Sequence, residues 1–96
     1  MMTNMQYLLD KLGEECVEVS QMCSKNKQFG VDEKQFADGE SNRERLFGEL
    51  NDLLAAIEML NEEEGFGFEP DRERIDRKKA KVRHFREYSR SLGLVE

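Results

Sequence analysis

The sequence predicts an all-α protein with three main helices. Apolar residues recur every three or four positions in three separate segments, and most glycines and the single proline fall between those segments. No segment has the alternating pattern of a half-buried strand. At 96 residues the chain is expected to be one domain, residues 1–96, with only a modest core. We therefore expect a helical bundle that is completed by a second chain, in a homodimer or homotetramer.

The first helix is expected at about residues 4–26. Thr3 and Gln6 have the spacing of a capping box, which marks a helix N-terminus. Two cysteines in this segment, Cys16 and Cys23, would lie about 10 Å apart along the helix axis. That separation is too large for a disulfide, so we expect both to be small buried apolar side chains. The apolar stripe consists of Met5, Leu8, Leu9, Leu12, Cys16, Val19 and Cys23.

The second helix is expected to follow a loop at residues 27–41. The loop contains two glycines and no sustained periodicity, and we expect at most a short helical turn near 33–37. Ser41 and Glu44 form the next capping box. Ala55, Ala56 and Met59 make the following helix apolar nearly all round, which is typical of a helix buried on more than one side. The main stripe of this helix is Leu46, Phe47, Leu50, Leu53, Leu54, Ile57 and Leu60.

The third helix is expected from Pro70 and Asp71 to about Ser91. Its apolar residues form a thin line amid nine basic residues, and Gly93 follows its end. The line consists of Ile75, Val82, Phe85 and, at its end, Tyr88.

The charge is unevenly distributed along the chain. The formal net charge is −6, with 16 acidic and 6 basic residues in positions 1–70 but 5 acidic and 9 basic residues in positions 71–96. An acidic body of this kind argues against binding to a nucleic-acid polymer. No apolar run approaches the roughly 20 residues of a membrane span, and the N-terminus lacks the pattern of a signal peptide. We therefore expect a cytoplasmic protein without a membrane partner.

Two acidic pairs occupy equivalent places beside the apolar stripes. Glu15 and Glu18 both lie on one side of the first stripe, and Glu49 and Asp52 lie on the corresponding side of the second. If the two helices pack antiparallel, both pairs reach one edge at the same depth, with Glu18 near Glu49 and Glu15 near Asp52. Four carboxylates at one edge would repel each other unless their pKa values rise or a cation lies among them.

A metal site that consists only of oxygen ligands, with no histidine or cysteine, favours Mg²⁺, Mn²⁺ or Ca²⁺ over Zn²⁺. A solvated acidic edge is the competing interpretation, because glutamates are common on helices.

The acidic pairs also resemble a known family. EECVE at residues 14–18 and ELND at residues 49–52 match the EExxE and ExxD pattern of the MazG-like nucleoside triphosphate pyrophosphohydrolases. Phosphoribosyl-ATP pyrophosphohydrolases and dimeric dUTPases belong to the same all-α superfamily. RIDRKKAKVRHFREYSRSLGLV, at residues 74–95, resembles the closing segment of short MazG-like proteins.

The resemblance implies Mg²⁺-dependent hydrolysis of a nucleoside triphosphate between its α- and β-phosphates, with Mn²⁺ as an alternative ion. It implies Glu15, Glu18, Glu49 and Asp52 as metal ligands. Glu14 matches the first Glu of the motif but points furthest from the apolar stripe. As a catalytic residue it would orient a second metal ion or a water molecule, and the alternative is that it lies in solvent.

Basic residues are expected to bind the phosphates. Lys78 and Lys81 best match the lysines of the family's closing helix, and Lys25 and Arg43 lie beside the loop. The alternative to an enzyme is a non-catalytic helical module or adaptor that binds metal or nucleotide. A di-iron bundle would need Glu-x-x-His pairs, and the single histidine, His84, is not so placed.

Overall fold

A computed structural model describes all 96 residues and contains three α-helices. They are α1 (Asn4–Phe29), α2 (Asn42–Glu64) and α3 (Arg72–Ser91). The chain has no strand, and its only β feature is an isolated antiparallel bridge between Lys34 and Ser41. The all-α prediction is therefore confirmed.

Both capping boxes form as the sequence predicts. The Thr3 hydroxyl accepts a hydrogen bond from the Gln6 backbone N–H at 3.1 Å, and the Gln6 side chain accepts one from the Thr3 N–H at 2.9 Å. Ser41 and Glu44 make the same reciprocal pair at the start of α2. Each box satisfies two of the backbone donors that a helix leaves unpaired at its N-terminus.

The ends of α1 and α2 are both set by glycine. Gly30 has a φ of 97° and Gly65 a φ of 58°. Residues other than glycine rarely adopt such positive φ angles. The Gly30 N–H donates to the Asn26 carbonyl at 3.0 Å. Helix α1 therefore continues to Phe29, three residues beyond the expected end at residue 26, because nothing before Gly30 breaks it.

The loop between α1 and α2 is held by two asparagine side chains rather than by a helical turn. Asn26 Nδ2 donates to the Asn42 carbonyl at 3.0 Å, and Asn42 Nδ2 donates to the Gly30 carbonyl at 2.9 Å and to Glu33 at 2.7 Å. Asn42 is buried. The short helical turn expected near 33–37 is absent, because main-chain and asparagine hydrogen bonds tie the loop back to the start of α2 instead.

Helices α1 and α2 form an antiparallel hairpin. The Asn4 side chain at the start of α1 donates to Glu63 at the end of α2, while Asn26 at the end of α1 reaches Asn42 at the start of α2. The four buried apolar residues of the chain lie in this hairpin, and they are Leu8, Met22, Ala56 and Leu60. The stripes of both helices are thus only partly covered.

Helix α3 contacts neither α1 nor α2, so the single chain does not form a three-helix bundle. Its apolar residues Val82 and Phe85 are 51% and 53% exposed. The radius of gyration is 17.2 Å, against about 12.5 Å for a compact chain of this length. Within one chain, the three helices are therefore a two-helix hairpin and a separate third helix. None of the three helices is long and apolar enough to cross a membrane.

The two cysteines also differ from the prediction, since both are exposed free thiols. They belong to a stripe on α1 that is broader than the surface α2 can cover. Val17 on the same helix and Leu54 on α2 are likewise more than half exposed.

Candidate metal and phosphate site

The antiparallel hairpin brings the two acidic pairs to the same level. The hydrogen bonds from Asn4 to Glu63 and from Asn26 to Asn42 show that opposing residues have numbers adding to 67 or 68. Glu18 and Glu49 add to 67, and so do Glu15 and Asp52. The helix register that the capping boxes and glycines set therefore aligns the acidic pairs.

Three of the four carboxylates meet closely. Glu15, Glu18 and Glu49 each offer an oxygen atom, and these atoms all lie within 4.8 Å of one another. Glu15 and Glu49 are half-buried, while Glu18 is exposed. Asp52 is exposed and does not belong to this close group, but it lies with Glu15 in the wall of an adjacent groove. We call Glu15, Glu18, Glu49 and Asp52 the carboxylate cluster.

The pKa of Glu15 is raised above its ordinary value. Burial is the largest cause, since it disfavours the charged form, and the charge of Glu18 is the next. A hydrogen bond with Glu18 and the charges of Asp52 and Glu14 act in the same direction. This carboxyl therefore holds a proton more readily than an isolated glutamate does.

The pKa of Glu49 is also raised, chiefly by a hydrogen bond with Glu18 and then by burial and by the charge of Glu18. Two carboxyl groups can share a hydrogen bond only when one is protonated, because a carboxylate is purely an acceptor. When both are ionised, the cluster lacks donors. Oε2 of Glu15 and Oε2 of Glu49 are buried oxygens without a hydrogen-bond partner.

Buried acceptors without donors are uncommon in folded proteins and costly. Protons or a cation would relieve both the missing partners and the mutual repulsion. The cluster is therefore chemically suited to hold a small cation on oxygen ligands.

Glu14 is directed away from the cluster. Its carboxylate pairs with the Lys11 ammonium at 3.2 Å, and this pairing raises the pKa of Lys11. The Lys11 ammonium also lies 5.3 Å from the centre of the Tyr7 ring. Glu14 therefore influences Glu15 through its charge but contributes no oxygen to the close group.

The four candidate phosphate-binding residues lie in different places. Lys78 and Lys81 are exposed on α3, and within one chain α3 does not reach the carboxylate cluster. Arg43 forms an exposed ion pair with Asp32 at 3.5 Å. Lys25 alone of the four lines a cavity at the loop end of the hairpin.

Two cavities flank the carboxylate cluster along the hairpin. Towards the start of α1 lies a groove of about 330 Å³, which we call the Tyr7 groove. Towards the loop lies a pocket of about 260 Å³, which we call the loop pocket. The Tyr7 groove is lined by Tyr7, Leu8, Lys11, Ala55, Ala56 and Met59 besides Glu15 and Asp52. The loop pocket is lined by Lys25, Phe29, Glu33, Gln35, Asn42 and Arg45.

Arg45 and Lys11 were not among the residues that the sequence singled out. Each lies four residues before a cluster carboxylate, Lys11 before Glu15 and Arg45 before Glu49. Residues four apart share a helix face, so a search for bases one turn away from each acid would have found both.

Comparisons with protein-family models, curated proteins and solved structures give no match to this chain.

Proposed function

We propose that this protein is a Mg²⁺-dependent nucleoside triphosphate pyrophosphohydrolase that releases a nucleoside monophosphate and pyrophosphate. The observation that carries the proposal is the convergence of Glu15, Glu18 and Glu49 within 4.8 Å at one edge of the hairpin. The match of residues 14–18 and 49–52 to the MazG-like motifs supports the choice of reaction. The proposed substrates are nucleoside and deoxynucleoside triphosphates, and the proposed role of the reaction is to remove non-standard nucleotides.

The residues of the cluster fit Mg²⁺. All four are carboxylates, with no histidine or thiolate among them, and hard oxygen ligands are those that Mg²⁺ prefers. Opposite ligands of an octahedral Mg²⁺ lie about 4.2 Å apart, so the three oxygens, which lie within 4.8 Å of one another, would move closer together to bind one ion. The buried oxygens of Glu15 and Glu49 have no donor of their own, which leaves them free to be ligands. Mn²⁺ is the alternative ion.

No cysteine or histidine joins the close group of oxygen atoms, although Cys16 follows Glu15 in the chain. The cluster contains no serine, cysteine or histidine, and His84 lies on the separate α3. Water is then the attacking group, as the proposed hydrolysis requires. When bound, Mg²⁺ supplies positive charge for the phosphates and activates water near neutral pH.

One carboxylate at the site, either a member of the cluster or Glu14, acts as the general base in this proposal. This carboxylate does not bind the ion, and it accepts the proton that the attacking water loses. Glu14 forms an ion pair with Lys11 and affects the site through its negative charge, which contributes to the raised pKa of Glu15.

A second copy of the chain completes the bundle in this proposal. The accessible surface is 7878 Å², against about 5,700 Å² for a compact monomer of this mass. The unpacked α3 is basic and carries an exposed apolar line, whereas the hairpin is acidic and leaves Leu50 and Leu54 exposed. Packing α3 on the hairpin of a second chain would bury both apolar surfaces and bring Lys78 and Lys81 to an acidic partner.

The function is tested by turnover. Purified protein is incubated with a panel of nucleoside triphosphates, with and without Mg²⁺, and monophosphate is measured. We expect Mg²⁺-dependent release of monophosphate, and near-complete loss of turnover in Glu15→Gln and Glu49→Gln, with helical circular dichroism unchanged. Glu62→Gln, an exposed residue of α2 outside the cluster, is the matched control. Normal activity in either cluster variant would refute the site.

Nucleotide binding without any turnover would instead favour the non-catalytic module. The oligomer is tested separately by light scattering on a sizing column. We expect twice or four times the 11.3 kDa chain mass, and a lower mass for the double variant Val82→Asp, Phe85→Asp. A clean monomer at micromolar concentration would contradict the role given to α3.

A further inference from the structure

The loop pocket continues the edge that carries the carboxylate cluster. Lys25 lies seven residues after Glu18 on α1, so the two side chains point in directions only about 20° apart. Arg45 lies four residues before Glu49 on α2, which places them about 40° apart. The pocket therefore lies on the same edge of the hairpin, about one helical turn from Glu49 on α2 and about two turns from Glu18 on α1.

Two cations in the pocket wall have no acidic partner. Neither Lys25 nor Arg45 takes part in any of the ion pairs of the chain, although five such pairs form elsewhere. They come from different helices and face the same cavity. An arginine and a lysine that converge without a carboxylate form an attractive place for an anion.

Glu33 is the one acidic residue of the pocket wall, and its carboxylate is already engaged. Asn42 Nδ2 donates to Glu33 Oε2 at 2.7 Å, and Asn42 itself is only 2% exposed. The wall keeps a net positive charge, and the positive end of the α2 dipole lies at the same place. The asparagine bonds also fix the loop, so the pocket is preformed rather than assembled by a ligand.

The size and the lining of the pocket are compatible with a small anionic group. At about 260 Å³ it is below the usual range of roughly 300–1,000 Å³ for drug-sized ligands. A pair of phosphate groups fits within this volume. Phosphate also matches the chemistry of the wall, because guanidinium and ammonium groups both donate to its oxygens.

We propose that the loop pocket binds the terminal phosphates of the nucleotide through Lys25 and Arg45. This rests on the proposed function, in which the β- and γ-phosphates leave together as pyrophosphate. The triphosphate then lies along the shared edge, with its scissile bond at the carboxylate cluster and its terminal phosphates toward the loop. The nucleoside extends in the opposite direction, along the side of the Tyr7 groove.

Pyrophosphate binding to the metal-free protein tests the pocket directly. Calorimetric titration with sodium pyrophosphate in the presence of EDTA is compared for the wild type, Lys25→Ala and Arg45→Ala. We expect saturable binding by the wild type and a loss of affinity of about tenfold or more in each variant. Arg45→Lys should retain part of the affinity, because it keeps the charge but loses the bidentate geometry. Thermal unfolding of all variants should match the wild type, which separates binding from folding.

Two controls give the experiment its specificity. Lys27→Ala removes an exposed cation of the same helix that lies outside the pocket, and it should bind pyrophosphate as the wild type does. Glu49→Gln should abolish turnover yet keep pyrophosphate binding, so a failure of the enzyme proposal is distinguishable from a failure of the pocket. Absence of pyrophosphate binding, unchanged affinity in both pocket variants, or an equal loss in Lys27→Ala would overturn the proposal.

Discussion

Replacing Glu49 by glutamine should change stability in opposite directions without and with Mg²⁺. In the metal-free protein the substitution removes one of three negative charges whose oxygens lie within 4.8 Å, so repulsion falls and the melting temperature rises. With Mg²⁺ the same substitution removes one of three close ligands. The sign of the effect therefore depends on whether the cluster binds a cation.

The size of the Mg²⁺ effect follows from binding linkage. At a Mg²⁺ concentration ten times the Kd, binding adds about 1.4 kcal/mol to the free energy of unfolding. For a domain of about 100 residues that corresponds to a rise in melting temperature of about 6–11 °C. We expect this rise in the wild type and less than half of it in Glu49→Gln.

The assay is thermal unfolding followed by circular dichroism, in EDTA and in a Mg²⁺ series. Glu62→Gln is the control, because it makes the same chemical change on an exposed part of α2 outside the cluster. If Glu49→Gln melts at a lower temperature than the wild type in EDTA, repulsion among these carboxylates does not destabilise the metal-free protein. A full Mg²⁺ shift in the variant would show that Glu49 is not a ligand.

Three further substitutions probe the fold around the site. Leu60→Ala empties a fully buried position and should lower the free energy of unfolding by about 2–5 kcal/mol in a urea titration; a loss below 1 kcal/mol would contradict the hairpin core. Asn42→Ala should cost about 1–3 kcal/mol in the same titration, because the Gly30 carbonyl and the Glu33 carboxylate lose the donor that the Asn42 side chain provides, and a neutral result would show that the loop does not depend on it. The hydrogen bonds from Ser41 lower the pKa of the Glu44 carboxyl in the folded protein. The ionised carboxylate therefore stabilises the fold fully above pH 4.5, and this stabilisation is lost as the pH falls through the lowered pKa. Glu44→Gln should flatten the acid limb of a stability–pH curve, and an unchanged limb would refute this assignment.

Local sequence signals predict the individual helices well. The capping boxes at Thr3 and Ser41 and the glycine at position 65 fix where helices begin and end through contacts within a few residues. Such contacts can be read from spacing alone. The position of the two acidic pairs along the hairpin follows from these helix ends, so the sequence alone predicts that Glu18 meets Glu49.

Features that depend on packing between distant segments were harder to predict. The thin apolar line of α3 indicates an amphipathic helix, but it does not specify which surface covers that line. The exposure of Cys16 depends equally on how much of α1 is covered. Arg45 was overlooked because its role comes from a cavity formed jointly by two helices and a loop, rather than from a motif.

The identity of the broken bond tests the central claim most directly. Phosphorus NMR can follow the wild-type protein as it converts an accepted nucleoside triphosphate in the presence of Mg²⁺. The proposed function predicts that nucleoside monophosphate and pyrophosphate appear together in equal amounts, and that neither appears with Glu49→Gln. Release of nucleoside diphosphate and inorganic phosphate, or an unchanged triphosphate spectrum for the whole panel, would contradict it.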